Sequence, residues 1–313
     1  MIRFSTRDPV PQELRGSVIA LGNFDGVHTG HQAVIGTAIE EARAAGRPAI
    51  VASFDPHPVR FFKPDTAPFR LTSLDQREQL FAGLGADAMA VFPFDEVLAK
   101  TSAENFVSQI LIERLGVTSV VTGIDFTFGE ARRGNVEMLA TLGATGGIRT
   151  RAVDPVITGG EVVSSSRIRA ALWHGDPQEA ARLLTRPFAI RGQVIHGDKL
   201  GRTIGFPTAN IDLGHYIRPK FGIYAITGRL EDGRVLKGAA NLGVRPTFDP
   251  PKELLEPYFF DFSGDLYGQE IEVAFHHYLR PEAKFDSIDA LTAQMHEDCA
   301  KARVLLDGLP QVD

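Results

Sequence analysis

The segment "GNFDGVHTGH", residues 22–31, sets His28 and His31 three apart, between the apolar run Val18–Leu21 and a stretch in which Val34, Ala38, Ile39 and Ala42 recur at helical spacing. A glycine-rich loop ending at a helix N-terminus offers backbone N–H groups and the positive end of a dipole, so phosphate is its natural guest. With a helix starting near Thr29, both imidazoles reach the same side of that terminus, where donors stabilise the charge that builds on a pentavalent phosphorus. An isolated H-x-x-H is more often a loop histidine or half of a metal site. Here the surrounding glycines, the preceding strand and Asp25 favour a nucleotide, and no third ligand of fitting type lies nearby for a metal. A second constellation, "SSSRIRAAL" at 164–172, again opens a helix; alone it reads as a serine N-cap with solvated arginines, and beside the histidine loop its hydroxyls with Arg167 and Arg169 make an anion grip. "GIDFTFG" at 123–129 follows the apolar run "SVVTG" and supplies a third loop for the same crevice.

These loops need elements to carry them. Gly46 and Pro48 stop the first helix, and "AIVASF" at 49–54 reads as a buried strand. Thr101 and Glu104 read as a capping box ahead of a helix with Phe106, Ile110 and Leu111 on one face. Asp176, Pro177 and Glu179 supply an N-cap, a first-turn proline and a capping-box acid for a short helix ending near Leu184. Such alternation implies a parallel sheet with helices on both faces, whose ligands bind outside the carboxyl ends of the strands. After about Arg186 the pattern changes to short β-branched and aromatic runs separated by Gly, Asp and Pro: "FAIRGQVI", "GIYAITGRL", "RVLKGAANL", "YFFDF" and "IEVAFHHYL". "EDGR" at 231–234 marks a tight hairpin, and the set predicts an antiparallel barrel or sandwich. A last helix, with Ile288, Leu291, Met295, Ala302 and Leu305 on one stripe, should pack on it. The expected fold is therefore α/β plus all-β: a Rossmann-like domain over 1–185 and an antiparallel β-barrel with a closing helix over 186–313.

Composition narrows the functions. The 313 residues carry a net charge of −6, with no basic block, so nucleic acid is not an expected partner. No stretch approaches the roughly 18 apolar residues of a spanning helix, and "MIRFSTRDPV" holds no apolar h-region, so a cytoplasmic protein is expected, away from membranes. The single cysteine, Cys299, fits a reducing compartment and reads as a packing residue. "GLGADA" at 83–88 follows a helix rather than a strand, which argues against a dinucleotide fingerprint. His276 and His277 should point to opposite faces of a strand, and His296 with Cys299 reads as core packing and a solvated edge rather than metal ligation.

Taken in order, "GNFDGVHTGH", "SFDPHP", "GIDFTFG" and "SSSRIR", followed by "GDKLGRTIGFPTANI", "AANLGVRPTF", "FDFSGDLYGQEIEV" and "LRPEAKFDS", resemble the bacterial bifunctional riboflavin kinase and FAD synthetase family over almost the whole chain. The first half is similar to nucleotidyltransferases with an H-x-G-H signature, and the second to riboflavin kinases. The resemblance implies that ATP phosphorylates riboflavin to FMN in the second domain and adenylylates FMN to FAD in the first. It implies that His28 and His31 stabilise the adenylyl transition state, that Ser165, Ser166 and Arg169 hold the triphosphate, and that Gly22, Phe24, Asp25, Gly30, Phe54 and Asp125 seat the nucleotide. For the kinase it implies Thr208 and Asn210 at Mg²⁺ and the ATP phosphates, and Glu256 as the base for the ribityl 5′-hydroxyl. Gly197, Lys199, Gly201, Arg202 and Arg280 would complete nucleotide and flavin binding. Phosphoryl transfer independently demands a cation, hard oxygen ligands and a carboxylate near the attacking hydroxyl. The chain departs from the family pattern at Pro257-Tyr258, where Val-His is usual, and a proline there should delay the strand presenting Glu256 by a residue. That departure keeps one rival open, an adenylyltransferase with a degenerate kinase barrel; a second rival, a flavin-binding regulator without turnover, would have no need of His28, His31, Thr208, Asn210 and Glu256.

Overall fold

The computed structural model describes residues 1–195, 205–245 and 252–309. Its contacts divide the chain into two units, Met1–Ala67 with Ser73–Ser164, and Pro68–Thr72 with Ser165–Asp313.

In the first unit β1 (Ile2–Ser5), β2 (Val18–Leu21), β3 (Ala49–Asp55), β4 (Ala88–Pro93), β5 (Ser119–Gly123) and β6 (Arg149–Val153) form one parallel sheet in the order β1-β4-β3-β2-β5-β6. Alternate side chains of a strand leave on opposite faces, so β2 feeds two cores. Ile19 and Leu21 join Ile50, Phe92, Leu111 and Val120 on one face. Val18 and Ala20 join Ile35, Val51, Phe81 and Val121 on the other. The second face is covered by α1 (Thr29–Ala44) and, past the short α2 (Pro58–Phe62), by α3 (Leu74–Leu84). The first is covered, beyond α4 (Glu96–Ala99), by α5 (Ala103–Asn105), its continuation Phe106–Leu115, and α6 (Val136–Thr145). Helices on both faces are as expected.

Because β2 lies between β3 and β5, the loops leaving the carboxyl ends of these three neighbours emerge side by side, the arrangement in which α/β sheets bind ligands. One boundary differs from the sequence reading. The cap of α5 is Ser102, whose hydroxyl accepts from the Asn105 N–H. Thr101 is drawn away because its own hydroxyl donates to the Val97 carbonyl at the end of α4. A small hairpin of β7 (Ile157–Thr158) and β8 (Glu161–Val162) ends this unit.

The second unit begins with α7 (Ser165–His174) and α8 (Pro177–Leu184), so by contacts the division falls before these helices rather than near Arg186, where the sequence pattern changes. Asp176 caps α8 as expected. Glu179 does not complete a capping box, because Arg167 and Arg182 take its carboxylate. Six strands then close into a barrel: β9 (Phe188–Ile195), β10 (Asn210–Asp212), β11 (Gly222–Arg229), β12 (Val235–Arg245), β13 (Lys252–Phe259) and β14 (Glu270–Arg280), ordered β10-β13-β12-β11-β14-β9. The "EDGR" hairpin is a three-residue loop closed by Gly233 N–H donating to Leu230 O and Leu230 N–H to Arg234 O, with Gly233 in the left-handed region that glycine favours.

The closing helix, α9 (Ile288–Asp307), buries Ala302 and Leu306 in a cluster with Ala225, Ala239 and Phe260. Its stripe is not the expected one at either of two positions. Ile288 is 64% exposed, while the carboxylate of Asp298 is buried where an apolar residue would serve. Asp298 is there for Arg280, which donates to it from Nε and Nη2 at 2.7–3.0 Å.

Pro257 does not shorten its strand. β13 runs through it in unbroken register with β12, pairing Asn241 with Glu256, Ala240 with Pro257 and Ala239 with Tyr258. The Pro257 carbonyl accepts from Ala209 N–H. N and C=O of one residue face the same side of a strand, so the missing N–H faces the start of β10, and no bond to β12 is lost.

Candidate active sites

His28 is the N-cap of α1, its Nδ1 accepting from the His31 N–H at 3.3 Å. An acceptor Nδ1 leaves the proton of a neutral ring on Nε2, so His28 presents an N–H donor away from the helix. The His28 and His31 rings stack with centroids 3.6 Å apart and planes 20° from parallel. Phe24 meets His31 edge-on at 5.2 Å and is itself buried. Phe24, Gly26 and Val27 all have positive φ, at 47°, 93° and 49°. Two of these are not glycine, and such backbone persists only where packing over-determines it. Gly22 is needed because a Cβ there would stand 2.8 Å from the Phe24 ring. Asp25 is buried in the same loop, and the Thr29 hydroxyl oxygen is buried with no hydrogen-bond partner among the described residues. A Cβ on Gly30 would come within 3.2 Å of the His28 ring. The loop therefore gathers donors at a helix N-terminus, as the spacing of the histidines predicts.

At the end of β3, Phe54 is buried against Phe92 at 5.0 Å and Phe94 at 6.2 Å. Phe94 also meets Phe61 and Phe62, and Phe62 is 62% exposed, which leaves a phenyl face open to solvent. After β5, Asp125 is exposed and folds back over Gly123, its Oδ1 3.0 Å from where a Cβ would be.

Ser165, Ser166 and Arg169 lie on α7 and group with the second unit. The two arginines there are not a matched pair of solvated grips. Arg167 is ion-paired with Glu179 at 2.7 Å. Arg169 donates from Nε to the Phe69 carbonyl and lies over the Phe69 ring, which ties residues 68–72 to α7.

In the barrel, Glu256 is 7% exposed in the middle of β13. Extending the β10–β13 register, Ile211 opposite Leu255, by one residue sets Asn210 opposite Glu256 on one side. Asn241 stands opposite Glu256 on the other, its Nδ2 donating to Oε2 at 3.4 Å. Three strands thus carry Asn210, Glu256 and Asn241 in a row, with cross-strand neighbours about 5 Å apart. Thr208, partly buried, precedes the row by two residues on the β10 side. Arg280, expected at nucleotide or flavin, is engaged with Asp298, and its Nη1 donates to the Pro281 carbonyl. Gly197, Lys199, Gly201 and Arg202 lie outside the described residues.

Two family models divide the chain as the two sites do: FAD synthetase matches residues 10–167 and riboflavin kinase matches residues 184–306. Bifunctional riboflavin kinase/FMN adenylyltransferases are similar along the chain. That of Pseudomonas fluorescens is 42% identical over 294 residues, covering 94% of each chain. Those of Escherichia coli K12 and Bacillus subtilis are 40% and 39% identical, each covering 94% of this chain and 93% of their own. The chain belongs to the bifunctional riboflavin kinase/FMN adenylyltransferase family. A solved Streptococcus pneumoniae structure described as a macrolide-efflux protein shares the fold, with a TM-score of 0.84, 30% identity and coverage of 95% of this chain and 97% of its own. Among the described residues of the present chain no helix is long and apolar enough to cross a membrane.

Three positioning residues escaped the sequence reading. Arg77, only 2% exposed, reaches from α3 to the Asn23 carbonyl and the Ser53 hydroxyl, bracing the histidine loop from behind. Asn241 and Asp298 are the others. None has a local signal, because each partner lies far off in sequence. Cys299 is half-buried and packs against the α9 cluster, and burial pushes its thiol up to about 11.

Proposed function

We infer that the protein phosphorylates riboflavin to FMN in its barrel unit and adenylylates FMN to FAD in its parallel-sheet unit, with ATP as the donor in both. The observation that supports this most is that each family segment holds a group suited to its own step: stacked imidazoles at a helix N-terminus in one, and a buried carboxylate beside amides in the other.

In adenylylation an FMN phosphate oxygen attacks the α-phosphorus of ATP, and the bond to the bridging oxygen breaks as pyrophosphate leaves. That nucleophile is already an anion, so no base is required. His28 Nε2–H, His31 and the α1 N-terminus stabilise the added charge. Gly22 and Gly30 let the backbone approach, Phe24 and Asp25 shape the loop, and Phe54 with exposed Phe62 offers an aromatic face to a planar ring. Asp125 seats the nucleoside, and Ser165, Ser166 and Arg169 bind the triphosphate.

In phosphorylation the ribityl 5′-hydroxyl attacks the γ-phosphorus, Glu256 takes its proton and ADP leaves. The donors near Glu256 fit Mg²⁺. Thr208 and buried Asn210 offer hard oxygens. Thr208 and Asn210 would hold the cation, which, when bound, supplies charge neutralisation on the phosphates. The ATP requirement and lone cysteine fit a cytoplasmic enzyme.

Purified protein incubated with riboflavin, ATP and Mg²⁺ tests the reading, with flavins separated chromatographically. FMN followed by FAD is expected. Unchanged riboflavin with FAD formed from added FMN would leave an adenylyltransferase with a degenerate barrel, and no conversion of either flavin would leave a binding protein.

A further inference from the structure

Asn241 is half-buried, and its side chain has two ends with different fates. Nδ2 donates to Glu256 Oε2, but Oδ1 is buried and has no hydrogen-bond partner among the described residues. A buried acceptor left without a donor is costly, and native structures keep such groups where they serve a ligand or a reaction. The amide is also held in place: Asn241 sits mid-strand in β12, paired with Ile223 on one side and Glu256 on the other. Its Oδ1 cannot accept the proton that Glu256 removes, since the attacking hydroxyl has one proton to give. What suits adjacent carboxylate and amide oxygens is a pair of adjacent hydroxyls. One gives its proton to Glu256 as its oxygen attacks phosphorus, and its neighbour donates to Asn241 Oδ1.

We propose that Asn241 is the residue that recognises a vicinal diol at the reacting end of the kinase substrate, binding the hydroxyl next to the attacking one through Oδ1 while orienting Glu256 through Nδ2. The proposal rests on Glu256 being the base. It makes the substrate class a terminal 1,2-diol rather than any primary alcohol, because the acceptor is satisfied only when the second hydroxyl is present.

Kinase kcat/KM is compared for riboflavin and for its 4′-deoxy analogue, which keeps the reacting 5′-hydroxyl and lacks its neighbour, in the full-length protein and its variants. Wild type should prefer riboflavin by about tenfold to a hundredfold, the usual effect of leaving a buried polar group unsatisfied. Asn241→Ala should lose that preference by slowing riboflavin toward the analogue. A preference that persists in Asn241→Ala overturns the proposal. Asn241→Asp has nearly the same shape and keeps an acceptor but not the donor to Glu256, so it decides the matter even if the alanine variant fails to fold. It should retain the preference while kcat falls and KM for riboflavin changes little, because the donor that orients Glu256 is gone. An unchanged kcat in Asn241→Asp would remove the orienting role. Glu256→Gln separates the two readings: full kinase activity there defeats Glu256 as base, whereas loss there with an unchanged preference in Asn241→Ala defeats only the role of Asn241.

Discussion

The histidine loop of the parallel-sheet unit gathers donors: imidazole N–H, backbone N–H and a helix N-terminus. The barrel gathers acceptors: the Glu256 carboxylate flanked by Asn210 and Asn241. The nucleophiles account for the difference. FMN enters adenylylation already ionised, so the site has only to stabilise charge on phosphorus, whereas riboflavin brings a neutral hydroxyl that must lose a proton. The two sites are also held differently. Positive-φ residues and a self-capping histidine shape the first within ten residues of sequence. The second depends on the register of β10, β13 and β12.

The largest expected effect breaks the acceptor side. Glu256→Gln should lower kinase kcat by about 10²–10⁴-fold while FAD formation from FMN continues, measured by flavin chromatography. On the donor side, His28→Ala should cut FAD formation by about 10²–10³-fold and spare FMN formation. Equal loss of both activities in either variant would undo the distinction. Asp298→Ala leaves the Arg280 guanidinium without its partner and should cost the barrel about 2–3 kcal/mol in denaturant unfolding, while FAD formation at moderate temperature is retained.

A pH effect is also expected in the barrel. Burial, with His277 nearby, pushes the His276 imidazole down to about 4. Between that value and the ordinary 6.5 the unfolded chain binds a proton that the folded barrel does not. Barrel stability should therefore be full above pH 6.5 and fall as the pH drops toward 4, by at most about 3 kcal/mol, and His276→Gln should flatten that fall. The smallest effect is expected at Pro257. Because its nitrogen faces away from β12, Pro257→Val should leave kinase kcat/KM within about twofold, the range of substitutions that break no named contact. A large gain would mean that the proline does displace Glu256.

What was legible in the sequence was local. The start of α1, the glycines around the histidines, the alternation behind the parallel sheet and the Asp-Gly hairpin each follow from neighbours within a few residues. What was not legible required partners distant in the chain. Thr101 looked like a cap until the α4 carbonyl at Val97 claimed it. Ile288 fitted a helical stripe that the barrel does not reach, and Asp298 broke that stripe because Arg280 lies opposite. Pro257 looked disruptive because sequence does not say which side of a strand its nitrogen faces. Asn241 is unremarked in "AANLG" and gains a role only when the β12–β13 register sets it against Glu256.

The central claim, that the histidine loop and the Glu256 row serve two different steps, is tested most directly by mixing two damaged proteins. Neither His28→Ala nor Glu256→Gln alone should convert riboflavin and ATP to FAD at an appreciable rate. An equimolar mixture should, with FMN made by the first variant and consumed by the second. No FAD from the mixture, with both variants folded, would contradict the account.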